Sequence, residues 1–125
     1  MDEIRLIIPC QLPSMNEIIN ACKGHWGSYR SIKSEYEGAV AAAARSNKVP
    51  EFESIELEII YFREDKRTDP DNISAGKKVL LDGLVAAGVI QNDGWKQVKK
   101  FKETWKIDKG NPRTEVIIRG RLRGE

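Results

Sequence analysis

Hydrophobic and polar residues alternate most regularly in SIELEIIYF, residues 54–62, where Ile55, Leu57, Ile59 and Tyr61 face one way and Glu56 and Glu58 the other. A period of two predicts a half-buried strand. Near the start, Ile4, Leu6 and Ile8 repeat the pattern and predict a first strand, ended by Pro9 and Pro13. Residues 99–107 set Phe101, Trp105 and Ile107 against Lys100, Lys102 and Lys106. The DKGNP that follows reads as a hairpin turn into a last strand, with Val116, Ile118 and Leu122 inward and Arg119, Arg121 and Arg123 outward.

Helical spacing occurs twice. Ser34 with Glu37 forms a capping box ahead of an alanine-rich run and predicts a helix over 32–46, with Tyr36, Val40 and Ala43 on its buried side. Ile73, Leu80, Leu81 and Leu84 recur at helical intervals until Gly88 supplies a C-terminal cap. Residues 11–30 show no period and read as a long loop. The predicted order is β-α-β-α-β-β: an α/β protein of mixed α+β type, one domain over 1–125, with helices packed on a mixed sheet.

Composition changes this picture little. With 125 residues, 40% hydrophobic and 32% charged, the chain fits one core, and no apolar run approaches a bilayer span. The opening MDEIRLIIPC carries acids where a secretory leader carries basic residues, so a cytoplasmic location is expected. Cys10, Cys22 and the lone His25 make a poor zinc set. The net charge of +2 is small, but lysines cluster over 96–106 and arginines over 119–123.

The stretch TDPDNISAGKKVLLDGL, residues 68–84, concentrates the candidate chemistry. Pro70 holds Asp69 in extended backbone, and Asp71 falls at the N-cap or first turn of the helix. One reading is structural: Asp71 caps the helix and Asp69 meets the positive end of its dipole. On a continuous helix, however, Lys78 and Asp82 return to within about 20° of the direction of Asp71. If the chain after the helix turns back, Asp93 of QNDGW approaches the same end, although NDG also reads as a simple turn. Carboxylates converging without histidine or cysteine suit a hard cation, Mg²⁺ or Mn²⁺, and phosphate chemistry.

Taken together, D-P-D-N, the lysine four residues before an aspartate in KVLLDGL, and G-V-I-Q-N-D resemble the RusA family of Holliday junction resolvases, common in bacteriophages and prophages. The resemblance is strong from about Asp65 to Val98 and weaker at LPSMNE and KGHWGSYRSIK. It implies a small homodimeric endodeoxyribonuclease that binds four-way DNA junctions and makes paired symmetric nicks with Mg²⁺ or Mn²⁺, in DNA recombination and repair. It places the metal-binding aspartates at Asp69, Asp71 and Asp93, with Asn92 where a first aspartate of a pair is frequent. The essential lysine falls on Lys78, with Lys77 as the alternative, and Asp82 is either a further ligand or the partner of Lys78.

For DNA contacts, the candidates are Lys100, Lys102 and Lys106 beside Arg119, Arg121 and Arg123 if the hairpin forms. In the loop they are Asn16, Lys23, His25, Trp26, Tyr29, Arg30 and Lys33. Two other functions fit the same residues. One is a DNA-junction-binding or regulatory protein without catalysis; the other is a metal nuclease acting on a wider range of branched DNA.

Overall fold

In a computed structural model describing residues 2–23 and 27–124, eight elements follow one another. They are β1 (Asp2–Ile8), α1 (Met15–Lys23), α2 (Gly27–Ser46), β2 (Phe52–Arg63), α3 (Pro70–Ser74), α4 (Lys77–Ala86), β3 (Val98–Ile107) and β4 (Arg113–Leu122). The strands form one sheet in the order β1-β4-β2-β3. β4 runs antiparallel to both β1 and β2, whereas β2 and β3 are parallel. The protein is therefore of mixed α+β type, as its pattern predicts. No helix among the described residues is long and apolar enough to cross a membrane.

The alternation in each strand fixes which face is covered. Leu6 and Ile8 of β1, Val116 and Ile118 of β4, and Ile55, Leu57, Ile59 and Tyr61 of β2 are buried in one cluster with Val40 and Ala44 of α2 and Leu80 and Leu84 of α4. Strand register aligns them, since Leu6 pairs with Val116 and Leu57 with Ile118. Two glycines permit the closest approaches. A Cβ on Gly83 of α4 would stand 2.5 Å from Val40 Cβ, and one on Gly120 of β4 would stand 2.1 Å from the Ser54 carbonyl oxygen.

Four expectations need correction. Residues 11–30 are not a loop: α1 starts at Met15 because Ser14 and Glu17 form a capping box, the Glu17 N–H donating to Ser14 Oγ at 3.3 Å and the Ser14 N–H to Glu17 Oε1 at 3.4 Å. The helix expected over 32–46 begins earlier, at Gly27, so Ser34 lies inside α2 and starts nothing.

The third correction concerns the helix after Asp69, which is not continuous. It tightens at Ala75 and Gly76, where the Gly76 N–H donates to Ile73 O at 3.1 Å and the Lys78 N–H to Ala75 O at 3.4 Å, three-residue bonds that change the angular step. Gly76 lies against Leu12, where a Cβ would be 2.7 Å from Leu12 Cβ.

The fourth correction is that β3 and β4 do not pair as a hairpin; β2 lies between them. Glu115, Val116, Ile117 and Ile118 are all buried, which suits a strand inside the sheet, whereas the lysine-rich β3 suits an edge.

Adding a methyl group at either close approach should overpack the fold. Gly83→Ala is expected to lower unfolding stability by about 1–3 kcal/mol, read as a lower urea midpoint at unchanged slope. Gly120→Ala, which meets backbone that cannot rotate aside, is expected to cost at least as much.

Candidate functional site

The connection from β2 to β3 carries nearly all the candidate chemistry. Asp69 precedes α3 in extended backbone, φ −72° and ψ 152°, as Pro70 requires, and its side chain makes no capping hydrogen bond. Asp71 lies in the first turn, where its Oδ1 accepts the Asn72 N–H at 3.0 Å. Both aspartates are exposed. Asp69, at the N-cap, makes no capping bond, whereas Asp71 satisfies one first-turn N–H, so the structural reading holds for Asp71 in part.

At the second residue of α4, Lys78 Nζ lies 3.0 Å from Asp93 Oδ2 and 3.2 Å from Asp82 Oδ1. Lys33 of α2 approaches Asp82 from the other side, Nζ to Oδ2 at 3.7 Å. Hydrogen bonds to Asp93 and then Asp82 hold the Lys78 pKa above its ordinary value, so the ammonium stays charged through neutral pH. The turn that delivers Asp93 is braced by its own N–H, which donates to Asn92 Oδ1 at 2.9 Å.

The structure therefore brings together Lys78, Asp82 and Asp93. It does not gather Asp69, Asp71 and Asp93 into one cage: among the described residues, no three histidine, cysteine, aspartate or glutamate side chains stand close enough to hold an ion. The break at Gly76 explains the difference, because the single helical stripe expected to join Asp71 to Lys78 and Asp82 ends there. Lys77, the alternative lysine, points elsewhere. Its Nζ pairs with Glu103 Oε1 of β3 at 2.5 Å and lies 4.9 Å from the centre of the Phe101 ring.

Glu103 is the residue that sequence reasoning missed. It occupies the apolar phase of β3, between Phe101 and Trp105, and an acid in that phase was the available signal. It accepts hydrogen bonds from Lys77 and, at 3.1 Å, from the buried Tyr61 hydroxyl. Burial acts to raise its pKa, but hydrogen bonds from Lys77, Ser74 and Tyr61 prevail and keep the carboxyl below the usual glutamate range. Burial, followed by the charge and hydrogen bond of Glu103, pushes the Tyr61 phenol far above its ordinary value.

The expected DNA contacts meet a mixed outcome. Because β2 separates β3 from β4, the lysine and arginine rows are not adjacent, and Glu58 between them takes Lys102 at 3.9 Å and Arg119 at 3.3 Å. Arg119 also pairs with Glu3, and Arg121 with Glu53 at 3.3 Å. Lys100 and Lys106 are exposed, as are Asn16 and Arg30 on the helices, while Lys33 is engaged by Glu37 and Asp82. His25 and Trp26 lie outside the described residues, as do the side chains of Lys23 and Tyr29.

As donors, these residues suit Mg²⁺ or Mn²⁺, since they offer carboxylate oxygens alone and Mg²⁺ takes one or two carboxylates with waters and substrate phosphates. Asp82 and Asp93, already sharing one cation, are two such carboxylates. No protein-family model matches the chain, and no curated protein matches it.

The Lys77–Glu103 pair gives a pH signature. A depressed carboxyl pKa contributes stability that is present above the unfolded value and lost as pH falls through the folded one. Glu103→Gln is expected to be less stable than wild type by about 1 kcal/mol at neutral pH. In urea titrations across pH, that deficit should persist down to the ordinary glutamate value of 4.5 and close below it.

Proposed function

We propose that this chain is a divalent-metal-dependent endodeoxyribonuclease of the RusA family, acting as a homodimer to resolve four-way DNA junctions by paired symmetric nicks. The observation that carries the reading is the Lys78 ammonium held between Asp82 and Asp93. It joins KVLLDGL to QND, two separate parts of the sequence pattern, at one exposed place on the surface.

Each part of this arrangement has a task in phosphodiester cleavage. Lys78, an ammonium at neutral pH held in place by its two aspartates, would offer a fixed positive charge to a phosphate and stabilise charge that develops on it. The resemblance gives the metal to Asp69, Asp71 and Asp93, which are not gathered at one point among the described residues; Asp82 and Asp93 are the carboxylates that meet at Lys78. Bound Mg²⁺ or Mn²⁺ supplies Lewis-acid polarisation and an acidified water. Asp69, which makes no capping hydrogen bond, and Asp71, one oxygen of which accepts the Asn72 N–H, are both exposed. A closed two-fold dimer presents the site twice, which suits a junction with two equivalent strands to cut.

A second reading is favoured by one observation, the absence of a three-carboxylate cage among the described residues. In that reading the protein binds branched DNA without cutting it. Carboxylates facing phosphates with no cation between them would repel the DNA, which weighs against it.

Purified protein incubated with a synthetic four-way junction and a linear duplex, in Mg²⁺ or EDTA, separates the two. Paired nicks confined to the junction and dependent on metal are expected. Asp71→Asn and Asp93→Asn should each fall at least about 100-fold in rate while remaining folded, and Lys78→Met by about 100-fold. Tight junction binding without nicks in either Mg²⁺ or Mn²⁺ would establish the non-catalytic reading; nicking of flaps and forks at equal rates would widen the substrate to branched DNA generally.

A further inference from the structure

The helix layer stops short of β3. On the helix side of the sheet, Phe101, Glu103 and Trp105 lie beside Leu57, Ile59 and Tyr61, and Ile107 beside Arg63. The three β2 neighbours of the first set are buried, yet Phe101, Trp105 and Ile107 are 37%, 40% and 45% exposed. The apolar row of the core thus continues onto the edge strand and opens to solvent. Phe101 and Trp105, four residues apart on one face, stand about 13 Å from each other along the strand.

Both rings are fixed from the protein side. Trp105 stacks on Tyr61 with ring centres 6.2 Å apart and planes 10° from parallel. Phe101 lies against the Lys77 ammonium, itself anchored by Glu103. Cations flank the row at both ends. Beyond Trp105, a pocket containing Asp65 and Asp69 is also lined by Arg63 and Lys66, with Lys106 reaching it from the other face of the strand. Beyond Phe101, a pocket containing Asp93 is lined by Lys99, with Lys100 reaching it from the other face of the strand.

We propose that this face of β3 binds a single unpaired DNA strand, with bases stacking on Phe101 and Trp105 and phosphates lying along the lysines and arginine at either end. Rigid aromatic platforms with cations near them recognise single-stranded nucleic acid, because every unpaired base offers a flat face and every linkage a negative charge. A duplex has no such face to offer, its bases being stacked on one another. A protein partner fits less well, since the centres of protein interfaces are depleted of lysine and glutamate, and Lys77 and Glu103 stand between the two rings. The inference rests on the nuclease reading and deepens it: the strand led from the Asp93 end to the Asp69 end is one that has left its duplex at a branch point.

The test uses a fluorescently labelled oligodeoxythymidylate of about a dozen nucleotides, followed by anisotropy in Ca²⁺ in place of Mg²⁺, so that the carboxylates at either end of the row keep a cation between them and the phosphates. Wild type is expected to bind it more tightly than a blunt duplex of equal length. Trp105→Ala and Phe101→Ala should each weaken binding about tenfold, while Trp105→Phe, which keeps a ring, should retain most of it. With 5-iodouracil in the oligonucleotide, photocrosslinks on wild type should map to the β3 peptide. Equal binding by wild type and both alanine variants, no preference over duplex, or crosslinks confined to other segments would overturn the proposal. Junction cleavage in Mg²⁺ is scored separately. Oligonucleotide binding through Trp105 without any cleavage overturns the nuclease reading alone, and cleavage with ring-independent binding overturns the stacking surface alone.

Discussion

Two strands laid side by side in the same direction cannot be joined by a tight turn; the chain must leave the sheet, cross one face and return. β2 and β3 are the one parallel pair in this sheet, and the crossover between them is α3 and α4. Everything proposed for the site depends on that detour. Asp69 and Asp71 stand where the chain leaves the C-terminal end of β2, Lys78 and Asp82 on the helix that crosses, and Asp93 in the segment that returns. Folds of this kind place ligand sites outside the carboxyl ends of parallel strands, because there the loops diverge and leave a crevice. The pocket containing Asp69, between the ends of β2 and β3, occupies such a position.

The sheet shows how the covered and open faces share the work. On the helix side, aliphatic residues of three strands close the core, and removal of that surface from water supplies the main driving force for folding. On the other side, charged residues of neighbouring strands interlock: Arg119 lies between Glu3 and Glu58, and Arg5 and Arg113 both reach the buried Glu115. This network satisfies a buried carboxylate and shields Ile117 beneath long side chains. It also leaves Arg119 and Arg121 occupied by acids, so the basic character of the last strand is largely spent within the protein.

The strands were legible from alternation, since a period of two in Ile55, Leu57, Ile59 and Tyr61 has no other interpretation at that length. The missed helix α1 was legible from Ser14 and Glu17 and from Met15, Ile18, Ile19 and Cys22 at helical spacing, but the frequent Pro, Ser, Asn and Gly around that stripe hid it. Two features were not legible, for a common reason. The break at Gly76 depends on Leu12, far away in sequence, and the insertion of β4 between β1 and β2 depends on which strand can bury both faces. Local pattern carries neither fact. For the site, the i, i+4 pair of Lys78 and Asp82 was legible, but Asp93 was expected at the Asp69 and Asp71 end and stands at Lys78 instead; Glu103 was hidden by its neighbours because a lone acid in an apolar row reads as an irregularity until its partners are seen.

The lysines of β3 have a further consequence. An edge strand offers a row of unpaired main-chain N–H and C=O groups to any passing chain, and this one carries aromatic side chains as well. Lys100, Lys102 and Lys106 project from alternate positions of that edge. Two copies brought together along β3 would have to press these ammonium groups against one another, so the strand can remain sticky toward a polyanion while resisting amyloid-like annealing to itself.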